Sequence, residues 1–231
     1  MQKDTQRYNT IVFDWDGTLH RTELLYISAF NEAYKYLVDN GYAEDRHFTD
    51  KEITSYLGMT AEAMWKVFMP ELPQDVKDHC SAMVGKYMIK NIYAGKARLY
   101  PGTEDMLDEL KDMDLSLYIL SNCMHSYLEA GIEYFGLGRW FEKCYAAGDY
   151  GFRSKADILK EVSEIDKMQP EIIMIGDRYS DMEVGILDNV KCIGCAYGYG
   201  EREEYRDAAA VAENVSDIPS IIRRLQLNET M

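Results

Sequence analysis

Thr10-Ile11-Val12-Phe13-Asp14-Trp15-Asp16-Gly17-Thr18 is the stretch on which the reading of this chain turns. Its first four residues are apolar or β-branched and read as a buried strand, which runs straight into two carboxylates. Side chains two apart on an extended chain face the same way, so Asp14 and Asp16 address one small volume beyond the strand's carboxyl edge. Gly17 lets the backbone turn sharply away. In open α/β sheets, ligands bind in the crevice outside the carboxyl ends of the strands, where this pair would sit. A plainer reading, an Asp-rich turn that only caps a helix or closes a loop, is set aside. A hydrophobic strand, carboxylates at i and i+2 and Gly17-Thr18-Leu19 rarely coincide.

Outward from that strand the pattern is first helical. Thr22 is a plausible N-cap, followed by an apolar rhythm through Leu24, Ile27, Phe30, Tyr34 and Leu37 that ends at Gly41. Further helices fit Asp50 to Leu57, Thr60 to about Met69 and Pro73 to about Tyr93. The aromatic residues of these helices, including Tyr26, Tyr34, Tyr56, Trp65 and Phe68, read as core rather than as pocket lining. From Leu99 helices and strands alternate: helix 103–113, strand 115–121, helix 126–135, strand 144–147, helix 156–165, strand 172–176, helix 181–187, strand 191–196 and a last helix near 219–227. Alternation of this kind predicts an α/β fold, a doubly wound (Rossmann-like), mostly parallel sheet with helices on both faces. The core is expected over residues 1–20 and 96–231, with an inserted helical cap over 21–95. The segments around His20-Arg21 and Tyr93-Ala94-Gly95-Lys96-Ala97 are candidate hinges, so that the insert acts as a lid over the sheet edge.

Three further polar signals stand at the ends of predicted strands. Ser121-Asn122 follows Leu117-Tyr118-Ile119-Leu120 and offers a hydroxyl and backbone amides ahead of a helix, suited to anionic oxygens. Lys155 lies in a loop just before a helix. Ile172-Ile173-Met174-Ile175 leads into Gly176-Asp177-Arg178-Tyr179-Ser180-Asp181 and brings two more carboxylates to the same crevice. Four aspartates at one edge repel one another unless a hard cation neutralises them, and oxygen ligands of this kind suit magnesium.

Composition bounds the partners. The chain has 231 residues, 47% of them hydrophobic, enough for a substantial core. With 25 basic and 40 acidic residues its net charge is −15, which argues against binding a nucleic-acid polymer or an anionic membrane. An anionic substrate must then be drawn by local groups, meaning a bound cation, a lysine and helix amino ends. Met1 to Asn9 carry no apolar leader pattern, and no run approaches the roughly 18 apolar residues of a membrane span. Five scattered cysteines do not form a disulfide framework, and Cys192-Ile193-Gly194-Cys195 sits in an apolar run that reads as a buried strand. A cytoplasmic location is expected, and the oligomeric state is not written in these patterns.

Taken together, Asp14-Trp15-Asp16-Gly17-Thr18-Leu19, Ser121, Lys155 and Gly176-Asp177 to Asp181 resemble the four ordered motifs of the haloacid dehalogenase-like hydrolase superfamily. Ser154-Lys155-Ala156-Asp157, Gly176-Asp177-Arg178 and Ala196-Tyr197-Gly198-Tyr199-Gly200 before Glu201-Arg202-Glu203-Glu204 are similar to its phosphoglycolate-phosphatase-like branch, whose helical cap also follows the first motif. The resemblance implies a magnesium-dependent phosphatase of a small phosphorylated metabolite, phosphoglycolate- or nucleotide-type. Asp14 would be the nucleophile that becomes an aspartyl-phosphate, and Asp16 the general acid and base. Magnesium would be held by Asp14, the backbone carbonyl of Asp16 and Asp177, with Asp181 ordering the shell. Ser121, the Asn122 amide and Lys155 would bind the transferring phosphoryl group. A phosphosugar mutase using the same Asp14, or a non-catalytic binding protein on the same fold, are the alternatives. Two departures stand out: His20-Arg21-Thr22, where the branch more often has an acidic residue and a serine, and Lys155-Ala156, where many members have Lys-Pro. His20 and Arg21 are candidates to touch the substrate's non-phosphate end or to form a solvated hinge.

Overall fold

The structure, a computed structural model, describes residues 8–227, so the reading of Met1 to Asn9 falls mostly outside the described residues. Six parallel strands form one sheet: β1 (Thr10–Phe13), β2 (Ser116–Ser121), β3 (Phe141–Ala146), β4 (Ile172–Gly176), β5 (Val190–Cys195) and β6 (Ala210–Ala212). Their order is β3-β2-β1-β4-β5-β6. β1 pairs in parallel with β2 and with β4, so Phe13 has Ile119 on one side and Ile175 on the other. The chain winds outward from β1 to β3, then returns to β4 and winds the other way. The β1/β4 boundary is therefore the topological switch point, where a crevice opens at the carboxyl ends of the strands.

Alternation along β1 builds two cores, because successive side chains leave opposite faces. Ile11 and Phe13 pack with α5 (Thr103–Asp112), α6 (His125–Phe135) and α9 (Ile218–Leu227) through Leu107, Leu110, Leu128 and Ile221. Val12 packs on the other face with Ile158, Leu159 and Val162 of α7 (Lys155–Ile165). A third cluster, including Leu37, Met64, Trp65 and Val76, lies among the helices that follow β1. These are α1 (Glu23–Asp39), α2 (Asp50–Thr54), α3 (Ala61–Phe68) and α4 (Gln74–Tyr93). A capping box between Thr49 and Glu52 starts α2, and Thr60 caps α3 by accepting from the Ala63 N–H. α1 and α4 pack together, tied by Asn91 Nδ2 donating to Ser28 Oγ at 3.0 Å.

Several expectations are corrected. β3 begins at Phe141 rather than Cys144; Glu142 and Lys143 are exposed on this edge strand, and a charged edge breaks the apolar signal. β6 was not predicted: Ala210-Val211-Ala212 is three residues of weak strand propensity. The helix expected over 181–187 is one short turn, α8 (Tyr179–Met182), tightening into a 3₁₀ turn over Glu183–Ile186. His20 is not a solvated hinge. It is fully buried and bridges to Leu99, while the Arg21 N–H donates to Arg98 O at 2.9 Å and the Tyr100 N–H to Leu19 O at 3.0 Å. The two segments that leave and re-enter the sheet thus run side by side. Among the described residues no helix is long and apolar enough to cross a membrane.

Leu110 is fully buried in α5, remote from the strand ends. Leu110→Ala should lower the unfolding free energy by about 2–5 kcal/mol, read from urea denaturation; a loss below about 1 kcal/mol would contradict the close packing of this face.

Candidate active site

Asp14, Asp177 and Asp181 converge at the switch point. Asp14 is the first residue past β1, fixed by its N–H donating to Ile175 O at 2.8 Å. Asp177 follows β4 directly, and Asp181 sits in α8. One carboxylate oxygen from each lies within 4.8 Å of the others, and all three side chains are buried. Close approach is made possible by glycine. Gly17 has φ +85°, and a Cβ there would lie 2.2 Å from Asp177 Oδ2. Asp177 Oδ2 also accepts the Tyr199 N–H at 2.6 Å, and Asp181 Oδ2 accepts the Arg178 N–H at 3.0 Å.

Lys155 is the counter-charge. Ser154 caps α7 by accepting the Asp157 N–H at 3.1 Å, which makes Lys155 the first residue of the helix rather than a residue of a solvated loop. Its buried Nζ donates to Asp14 Oδ1 at 2.6 Å and Asp181 Oδ1 at 2.5 Å. Burial alone would lower the Lys155 pKa, but the Asp14 and Asp181 charges outweigh it and hold the ammonium above its ordinary range. Burial, together with the Asp181 and Asp16 charges, holds Asp14 up at about 7 despite Lys155. Asp177 is pushed well above the usual carboxylate range by burial and by its Asp14 and Asp181 neighbours. Ionising all three carboxylates around one ammonium would leave two buried negative charges in surplus. Hard oxygen donors with that surplus fit a hard dication, so the residues present suit magnesium.

Asp16 faces elsewhere. Its Oδ1 accepts from Tyr127 Oη at 2.8 Å and from the Thr22 hydroxyl, and its side chain is outside the three-carboxylate cluster. Thr22 Oγ1 also lies 2.9 Å from His20 Nδ1. With the threonine proton given to Asp16, Nδ1 is the donor to that oxygen. The imidazole stacks on Trp15, with centroids 4.9 Å apart and planes 5° from parallel. Asp16 is therefore aimed by a buried train of Trp15, His20, Thr22 and Tyr127. Burial and then the Asp16 charge hold the Tyr127 phenol far above its ordinary pKa, so it remains a donor.

Ser121 ends β2 and is buried, and Asn122 follows it. Both line, with Asp14 and Asp16, a cavity of about 170 Å³ that continues into α1, α3 and α4. The Asn122 side chain reaches across, its Nδ2 donating to Gly58 O at 3.2 Å. Arg178 binds Leu57 O and, at 3.3 Å, Glu204 Oε2. The helical insert thus closes on the strand ends through the Leu57-Gly58 turn.

All the residues expected at the site are near it, with one division: Asp14, Lys155, Asp177 and Asp181 form one charged cluster, while Asp16, Ser121 and Asn122 face the cavity. Thr22 was read as an N-cap but makes no capping bond, and its hydroxyl serves Asp16 instead. Tyr127 was missed; it lies on α6 and nothing local distinguishes it from a core aromatic. Tyr26, Tyr34, Tyr56, Trp65 and Phe68, read as core, also line the cavity.

Residues 11–195 match the family described as haloacid dehalogenase-like hydrolase. The chain is 25% identical over 224 residues to a pyrophosphatase PpaX of Listeria monocytogenes serotype 4b, covering 95% of this chain and 98% of the other. It is 27% identical over 196 residues to a phosphoglycolate phosphatase of Agrobacterium fabrum, covering 81% and 80%. Its fold resembles the crystal structure of a predicted phosphatase from Clostridium acetobutylicum, with TM-score 0.79, 21% identity and coverage of 94% and 99%.

A raised carboxyl pKa binds its proton more tightly in the folded state. The stabilisation Asp14 provides is complete below its unfolded value of 3.8 and is lost as pH rises through about 7. In EDTA, the melting temperature of the wild type relative to Asp14→Asn should therefore fall across that window. Added magnesium should raise the wild-type melting temperature more at about pH 8 than at about pH 5, because its ligands must be deprotonated. Equal magnesium shifts at both pH values would contradict the carboxylate site.

Proposed function

This chain belongs to the haloacid dehalogenase-like hydrolases and is a phosphatase of that family; on that premise we propose that it is a magnesium-dependent phosphoric monoester hydrolase working through an aspartyl-phosphate. The observation that carries the reading is Asp14 itself, a buried carboxylate held at Oδ1 by Lys155 at the head of a substrate-sized cavity, with Asp16 beside it. Lys155 occupies one Asp14 oxygen and orients the other toward phosphorus. Attack forms the Asp14 oxygen–phosphorus bond and expels the alcohol oxygen, which takes a proton from Asp16. With Thr22 and Tyr127 both on Oδ1, that proton sits on Asp16 Oδ2. Asp16 then accepts a proton from the water that attacks the aspartyl-phosphate, returning Asp14 as a carboxylate and releasing phosphate. Ser121, the Asn122 amide and Lys155 hold the phosphoryl oxygens. Asp14, the Asp16 carbonyl, Asp177 and Asp181 would hold or order magnesium, which when bound neutralises charge between nucleophile and phosphate.

In this reading the described residues of the core are 8–20 and 96–227 and those of the cap are 21–95, the cap excluding water from the site. The relatives named pyrophosphatase and phosphoglycolate phosphatase support phosphoryl hydrolysis. Five free cysteines favour a reducing, cytoplasmic setting.

Phenyl phosphate with magnesium tests the reading. Asp14→Asn should abolish phosphate release with the fold intact by circular dichroism, and Asp16→Asn should lower kcat by about 10²- to 10⁴-fold. EDTA should remove activity and magnesium restore it. Undiminished turnover by Asp14→Asn would overturn the nucleophile assignment.

A further inference from the structure

Resting on the phosphatase reading, we infer that the substrate is the phosphate monoester of an uncharged, apolar alcohol about the size of one aromatic ring, and not a molecule with a second anionic end. The cavity that starts at Asp14 and Asp16 runs into the cap between Tyr26, Phe30, Tyr56, Met64, Trp65 and Phe68. Among the described residues lining it, the only charged side chains are Asp14 and Asp16, and none is Lys, Arg or His. The nearest cations are already engaged: Lys155 lies between Asp14 and Asp181, and Arg178 is held by Leu57 O and Glu204. A carboxylate or second phosphate placed at the cap end of this cavity would lose its water and meet no cationic side chain among the described lining residues, at a heavy cost. The Trp65 indole N–H is taken by Ser81 Oγ at 2.8 Å, so that ring presents an apolar surface.

The cavity is of modest size, about 170 Å³, against about 150 Å³ for an apolar cavity that accepts benzene. A single ring or a short alkyl chain suits its cap end, which turns the expectation of a phosphoglycolate- or nucleotide-type substrate toward a simple aryl, benzyl or short alkyl phosphate. The space is not filled by an ordinary core arrangement. At Gly85 on α4, which lines the cavity, an added Cβ would meet no heavy atom within 4 Å. Protein interiors otherwise close such gaps.

Steady-state phosphate release from benzyl, methyl and butyl phosphate, phosphoglycolate and pyrophosphate tests the inference, alongside calorimetric titration with benzyl alcohol. kcat/KM for benzyl phosphate should exceed those for phosphoglycolate and pyrophosphate by at least about 100-fold. From methyl to butyl it should rise by about fourfold per methylene. Gly85→Leu, which places a side chain in the cavity on a helix that tolerates it, should cut the benzyl-to-methyl ratio at least about tenfold. Phosphate release that favours phosphoglycolate or pyrophosphate, or a benzyl-to-methyl ratio unmoved by Gly85→Leu, overturns the inference while the phosphatase reading stands. If no ester is hydrolysed, the phosphatase reading fails, and the titration decides the cavity: benzyl alcohol binding to wild type but not Gly85→Leu sustains its apolar specificity, and no binding overturns it.

Discussion

One ammonium buried among three carboxylates is the constraint on which the rest of this structure depends. Taking the Asp14, Asp177 and Asp181 carboxylates out of water is costly, and Lys155 offsets only part of that cost. The fold supplies the geometry that makes the arrangement possible. β1 and β4 are neighbours in the sheet, so the residues just past their ends are brought together although the sequence separates them by more than a hundred residues. Ser154 fixes the start of α7 and so the reach of Lys155. Gly17 removes the side chain that would otherwise collide with Asp177. The surplus negative charge that full ionisation would bring suits the cluster to a hard dication.

The strands that carry this cluster were legible because each is a short apolar run ending in a polar turn. The two strong ones, Ile11 to Phe13 and Ile172 to Ile175, are buried on both faces, so nothing in them interrupts the hydrophobic signal. Of the strands at the sheet margins, β3 was legible only in its second half and β6 not at all, for the opposite reason. Glu142 and Lys143 are solvated on an edge, and Ala210-Val211-Ala212 is too short to carry a pattern. Likewise Asp14 and Asp16 announced themselves by spacing, whereas Tyr127 did not, because its proximity to Asp16 is created only when α6 packs against the first motif. Thr22 stands at the N-cap position of α1 that the sequence suggests, yet its hydroxyl makes no capping bond and is spent on the carboxylate.

Closure and chemistry share residues. Asp177 belongs to the charged cluster, and the next residue, Arg178, binds Leu57 O in the cap. Ser121 lines the phosphate end of the cavity, and the next residue, Asn122, binds Gly58 O. Gly58, at φ +82°, has no room for a side chain, since a Cβ there would lie 2.5 Å from Arg178 Cγ. The turn between α2 and α3 is thereby held against two of the motif loops at once. A movement that opens the cap must break bonds made by residues adjacent to the phosphate site, so water exclusion and alignment of the site are mechanically linked.

The two ends of the cavity obey different physics. At the sheet edge, charge dominates, with a lysine and the carboxylates converging beyond β1 and β4. At the cap end no described lining residue is charged, and what an aromatic chamber offers is area removed from water. The second end is written by α1, α3 and α4, where a single ring or glycine alters volume without touching the nucleophile. Selectivity can therefore change in the cap while Asp14, Asp16 and Lys155 stay as they are. That separation is why the apolar lining, rather than the charged cluster, is the part of the cavity that substitution can reshape alone.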